Sequence, residues 1–192
     1  MDHSSQSNLQ TNGLILRRTV VLVGMMGCGK SAVGRALSSK LGVPLLDSDA
    51  EIERAANATI TEIFERDGEE FFRAREAEII ERLLSGPPCI LSTGGGAFLA
   101  ERNRKAIHDK GASVWLNADL DLLWERVRHK DTRPLLRTPN PKKTLTDIFN
   151  ARVPLYALAD LTVETKPGYA IEETANLVIR TLLTRPDILE QT

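Results

Sequence analysis

The run Gly24-Met25-Met26-Gly27-Cys28-Gly29-Lys30-Ser31 fits G-x-x-x-x-G-K-[ST] at every position. Such a loop wraps phosphate oxygens with backbone N–H groups and aims the positive end of the next helix at them. Gly27, Cys28, Gly29 and Ala32 would supply backbone to that cradle, Lys30 would reach the β- and γ-phosphates, and Ser31 would offer a hydroxyl to Mg²⁺. A chance glycine turn is a poor alternative, because the run sits between a strand-like segment and a helix-like one. The ligand implied is a nucleoside triphosphate, ATP first. Cys28 reads as a small filler of the turn.

A second cluster, Leu45-Leu46-Asp47-Ser48-Asp49, places two carboxylates where a short apolar strand ends. Ligands of open α/β sheets gather at the carboxyl ends of strands. Strand alternation would point Asp47 and Asp49 the same way. One can support Mg²⁺, usually through water, while the other accepts a proton from an attacking hydroxyl. The structural alternative is that Asp49 simply caps the following helix.

Elements must hold these groups in place. Thr19–Val23 is a continuous apolar, β-branched run, as expected of a strand buried on both faces. Further strands are expected at Val43–Leu46, Cys89–Ser92, Ser113–Leu116 and Leu161–Val163. Helices are expected at Ser31–Leu41, Glu51–Ala56, Ile63–Leu84 (broken near Asp67-Gly68), Glu101–Lys110, Asp119–Arg128, Leu145–Leu158 and Ala170–Leu183. This alternation predicts a three-layer α/β/α P-loop kinase fold with a central parallel sheet of about five strands. Residues 1–18, rich in Ser, Gln and Asn, read as a flexible N-terminal tail. Residues 19–192 then form a single domain, with substrate-binding helices at about 49–84. His129–Lys143, with three prolines and many charges, reads as a mobile lid.

Composition bounds the function. The chain has 192 residues, 42% hydrophobic and 27% charged, enough for its own core. Lys plus Arg is 25 and Asp plus Glu is 26, for a net charge of -1. That argues against a general nucleic-acid binder. No stretch approaches the ~20 apolar residues of a membrane helix. Arg17-Arg18, Val20–Met26 and Cys28 imitate a short export signal, but cleavage before Cys28 would split the phosphate loop. Two cysteines are too few for a disulfide scaffold, so a cytoplasmic location is expected.

Several blocks in one order resemble the shikimate kinase family. They are Gly24–Ser31, Leu46–Asp49, Gly68-Glu-Glu-Phe-Phe-Arg73 with Glu76, Ser92-Thr-Gly-Gly-Gly-Ala97, Arg133-Pro-Leu-Leu136 and Arg152-Val-Pro-Leu-Tyr156. Together they span roughly residues 19–185. The resemblance implies Mg²⁺-dependent transfer of the ATP γ-phosphoryl group to the 3-hydroxyl of shikimate, within aromatic amino acid biosynthesis. Lys30 would hold the phosphates, Ser31 and Asp47 the metal. Asp49 would bind the acceptor hydroxyls and act as base. Arg73 and Arg152 would grip the substrate carboxylate, with Gly94, Gly95 and Gly96 as a backbone wall. Arg133 would be the lid arginine, Arg126 would stack on adenine, and Glu76 would orient Arg73. The partner would be a small molecule, and the plain single-domain form suggests a monomer.

The residue chemistry agrees. An arginine fork suits a carboxylate, Asp49 suits hydroxyls, and three glycines let backbone approach a small ring. Taken singly, each group has a plainer explanation. Arg73 can pair with Glu69 or Glu76 on a helix surface, Arg152 can cap a helix end, and Arg126 can be a solvated neighbour of Arg128. Val163–Pro167 is shorter than the family's adenine-contacting loop. The alternatives are a related P-loop small-molecule kinase such as gluconate kinase, and a nucleotide-binding regulatory module with no acceptor. The arginine pair disfavours the first and the aspartate pair the second.

Overall fold

A computed structural model describes residues 13–130 and 134–192. In chain order the elements are β1 (Leu14–Leu16), β2 (Thr19–Val23), α1 (Lys30–Leu41), β3 (Leu45–Asp47), α2 (Ser48–Ala56), α3 (Ile60–Leu84) and β4 (Ile90–Ser92). Then come α4 (Glu101–Lys110), β5 (Gly111–Ala118), α5 (Leu120–Val127), α6 (Pro141–Tyr156), β6 (Leu161–Thr165), α7 (Ile171–Leu182) and β7 (Leu189–Gln191). Five strands make one parallel sheet in the order β3-β4-β2-β5-β6. β2 lies in the middle, which is why Thr19-Val-Val-Leu-Val23 is buried along its whole length. Helices flank the sheet, with α1 packed on α7 and α3 on α4. The expected three-layer α/β/α architecture is therefore present.

The sheet sets the site by where its strands stop. The glycine loop leaves the carboxyl end of β2, Asp47 ends β3, and Ser92-Thr93-Gly94 leaves β4. These ends are adjacent, because β4 pairs with both β2 and β3. A smaller apolar cluster of Ile52, Ile63, Phe72 and Ile79 fastens α2 to α3 outside the main core. The break expected near Gly68 is real: α3 kinks there, with Gly68 at φ 86° and ψ 170°, a conformation that disfavours a side chain.

Three expectations need correction. The tail is not featureless up to residue 18, because β1 pairs antiparallel with β7. Arg17 N–H donates to the Ile188 carbonyl at 2.8 Å, and Thr192 N–H to the Gly13 carbonyl at 2.7 Å. The partner strand lies at the opposite end of the chain, so no local pattern announces it. Residues 1–12 lie outside the described residues. The segment read as lid also ends earlier than Lys143. Pro141 opens α6 at its first turn, where a missing N–H does no harm, and Asn140 caps it by accepting from Lys143 N–H at 3.1 Å.

Finally, the residue that caps α2 is Asp47, not Asp49: its Oδ1 accepts from Ala50 N–H at 3.0 Å. Asp49 sits in the first helical turn, so strand alternation does not relate the two carboxylates. Both nevertheless line one cleft. Leu16, buried in β1, tests whether the terminal ribbon is structural. Leu16→Ala should destabilise the fold by about 2 kcal/mol in denaturant unfolding while both substrate KM values stay unchanged.

Candidate active site

Gly29 stands at the N-cap of α1, adopts φ 99° and offers no side-chain cap. Its first N–H groups are therefore open to an anion. Gly27 is also left-handed, at φ 81°, and a Cβ there would lie 2.7 Å from Val127 Cγ1. The loop thus packs against α5, and Arg126 of that helix donates Nη1 to the Gly27 carbonyl at 3.0 Å. Lys30 bends back over the loop, donating Nζ to the Gly24 carbonyl at 2.7 Å and the Met25 carbonyl at 3.1 Å. Cys28 is buried, as a filler would be.

The loop opens into a cleft of about 1140 Å³. It contains Gly27, Cys28, Gly29, Lys30, Ser31, Ala32, Asp47, Asp49, Arg73, Gly94, Gly95, Gly96, Arg126 and Arg152, so the structure gathers these sequence-selected residues in one place. Arg133 lies outside the described residues. Lys130 and Leu135, on either side of it in sequence, both reach the cleft.

The triple glycine explains how the charges fit. A Cβ on Gly94 would lie 2.9 Å from Asp49 Oδ2, one on Gly95 would lie 2.9 Å from Arg152 Nη1, and one on Gly96 would lie 2.5 Å from Arg73 Nη2. Each glycine leaves room for one functional side chain. Arg73 is further fixed from below. Its Nη1 donates to Glu76 Oε1 at 2.9 Å, and its guanidinium lies over the Phe72 ring, 5.2 Å from the centroid. Glu76 is only 1% exposed, lying at the floor of the cleft beneath Arg73.

Electrostatics follow from burial. Desolvation raises the pKa of the Asp49 carboxyl to about 6, and the charges of Asp47, Glu76 and Glu53 push the same way against Arg73. Burial also raises the Glu76 carboxyl, opposed by its hydrogen bond to Arg73. For Mg²⁺, the donor set fits a hard cation: the Ser31 hydroxyl is exposed in the cleft, and Asp47 spends only Oδ1 on its helix. Among the described residues no three His, Cys, Asp or Glu side chains converge as a metal cluster. A metal shared between a few protein oxygens and phosphate suits that arrangement.

Sequence reasoning gave no role to several aromatic side chains in or beside the cleft. Phe64 and Phe72 meet across the α3 kink as a tilted ring pair with centroids 4.7 Å apart, and both line the wall. Their spacing of eight, two helical turns, was legible. Tyr169 also lines the cleft, beside Thr165 of the Val163–Pro167 segment in which adenine contacts were sought. Tyr156 lies one turn beyond Arg152 and donates to the Gly95 carbonyl at 2.6 Å.

A parallel sheet with a phosphate loop at its central strand, facing paired carboxylates and arginines, defines a P-loop kinase for small molecules. The shikimate kinase family model matches residues 26–183. The shikimate kinase of Ruegeria pomeroyi is 60% identical over 190 residues, covering 99% of this chain and 97% of that protein. That of Cereibacter sphaeroides is 63% identical over 175 residues, covering 91% and 87%. Among solved structures, shikimate kinase from Acinetobacter baumannii in complex with shikimate superposes with a TM-score of 0.80 at 40% identity, covering 87% of this chain and 93% of that one. The chain belongs to the shikimate kinase family. Gly96→Ala, which displaces Arg73, should raise the KM for the acceptor about tenfold or more in steady-state assays, with the ATP KM within twofold.

Proposed function

We infer that this chain transfers the γ-phosphoryl group of ATP to the 3-hydroxyl of shikimate, giving shikimate 3-phosphate and ADP. The observation that carries this reading is the placement of Asp49, Arg152 and Arg73 over Gly94, Gly95 and Gly96 in the cleft that also holds the phosphate loop. Shikimate is a small ring with one carboxylate and three hydroxyls. Arg73 and Arg152 would take the carboxylate, and the glycine backbone would let the ring approach closely.

The loop N–H groups and Lys30 would hold the triphosphate. Lys30 would then exchange its bonds to the Gly24 and Met25 carbonyls for phosphate oxygens. Mg²⁺, held by Ser31 and supported by Asp47, would neutralise phosphate charge. Arg126, tied to the loop at Gly27, would contact the nucleotide. Arg133 is assigned to the transferring phosphoryl group on its motif alone.

Asp49 would orient the acceptor hydroxyl and receive its proton. With a pKa of about 6 it is mostly ionised at pH 7, yet more basic than an ordinary carboxylate. An alcohol is far too weak an acid to lose its proton beforehand. The proton therefore moves late, as the new P–O bond forms. Below pH 6 the carboxyl is protonated and cannot accept, so kcat/KM for the acceptor should fall with an apparent pKa of about 6.

Purified protein should release ADP with shikimate and not with gluconate. The opposite preference would overturn the reading. Asp49→Asn should lower kcat by about a hundredfold or more. It should also stabilise the fold. The folded pKa lies above the unfolded one, so this group's contribution is most favourable at low pH and is lost as pH rises through 6. Keeping it ionised at pH 7 costs up to roughly 3 kcal/mol. The variant should therefore melt higher than the parent at pH 7 to 8, and the gain should vanish near pH 4 in thermal scans.

A further inference from the structure

Among the described residues Tyr156 heads the wholly buried side chains by size, and its ring stacks on Trp115 of β5 with centroids 6.3 Å apart. Filling that space needs a ring, not a hydroxyl. A phenylalanine would pack there without a polar atom to satisfy. The hydroxyl instead donates to the Gly95 carbonyl at 2.6 Å, a short bond to the middle of the substrate wall. Arg152 lies on the same helix, four residues back, and its Nη1 also stands against Gly95. A Cβ on Gly95 would meet Arg152 Nη1 at 2.9 Å and the Tyr156 hydroxyl at 3.8 Å, so guanidinium, glycine and phenol form one contact. Burial raises the phenol's pKa, opposed by the charge and hydrogen bond of Arg152, and the group stays a neutral donor at working pH.

We propose that Tyr156 is a positioning residue for the acceptor: by holding the Gly95 carbonyl it locks α6 to the glycine wall and fixes where the Arg152 guanidinium stands over that wall. The proposal rests on the reading of Arg152 as a carboxylate ligand. Tyr156 itself need not touch substrate, since its ring is enclosed and its hydroxyl is spent on Gly95. A free hydroxyl-to-hydrogen change here would leave the core filled and the Trp115 stack intact, while freeing the peptide of Gly95 and the last turn of α6.

The test is Tyr156→Phe, with Arg152→Lys and the double variant, in steady-state kinetics and thermal unfolding. Wild-type turnover of shikimate against gluconate is read first and bears on the proposed function alone. The Tyr156 arm uses whichever acid the wild type accepts. Tyr156→Phe should raise the KM for that acid about tenfold, the worth of one buried hydrogen bond, and leave the ATP KM within twofold. In the Arg152→Lys background the same change should add little, because the group being positioned is already altered. An unchanged acceptor KM would overturn the proposal. So would a parallel rise of both KM values with a lowered melting temperature, or full additivity with Arg152→Lys, since each is what a simple core residue gives.

Discussion

Three consecutive residues without side chains make the rest of this site possible. Asp49, Arg152 and Arg73 come from α2, α6 and α3, elements far apart in sequence, yet each presses on one of Gly94, Gly95 and Gly96. A single methyl group at any of the three would overlap a charged head group. The constraint is thus one of space before it is one of charge. The turn after β4 has to be bare, because an anion grip, a hydroxyl acceptor and the backbone must occupy the same few ångströms.

Holding like and unlike charges this close has an energetic consequence. The Asp49 carboxyl is pushed up mainly by burial, and Glu76 is buried beneath Arg73 and accepts its hydrogen bond. Buried pairs of this kind add little stability, because desolvation offsets their attraction. They add direction instead. Glu76 and the Phe72 ring fix Arg73 at the cleft, so the positive charge stands ready for a carboxylate before one arrives. The same logic applies at the phosphate end, where Lys30 and Arg126 already bond to loop carbonyls.

Much of this was legible in the chain. The phosphate loop is contiguous, and its strand and helix carry strong local patterns, so Thr19–Val23 and the helix to Leu41 emerged with the right bounds to within a residue. The arginines and glycines were found because they sit in short blocks of recognisable order. What escaped depended on distant partners. β1 has no pattern of its own and forms only by pairing with β7, some 170 residues away. Asp47 and Asp49 were placed together for the wrong reason, since the helix starts one residue after Asp47 and turns Asp49 into the cleft from a helical position. Pro141 read as part of a loop because a proline signals a break equally well at the first turn of a helix. Tyr156 stood in the chain only as the end of the Arg152–Tyr156 block, and its partner Gly95, 61 residues earlier, is brought to it only by the fold.

The central claim is that the carboxylate of the acceptor is read by Arg73 and Arg152 over the glycine turn, with Asp49 on the hydroxyl to be phosphorylated. A crystal structure of the protein with ADP, Mg²⁺ and shikimate tests this most directly. The account predicts the shikimate carboxylate within hydrogen-bond distance of both guanidinium groups, the ring against Gly94–Gly96, and the 3-hydroxyl on Asp49 facing the phosphate loop. A carboxylate bound away from these arginines, or a 3-hydroxyl turned from Asp49, would contradict it.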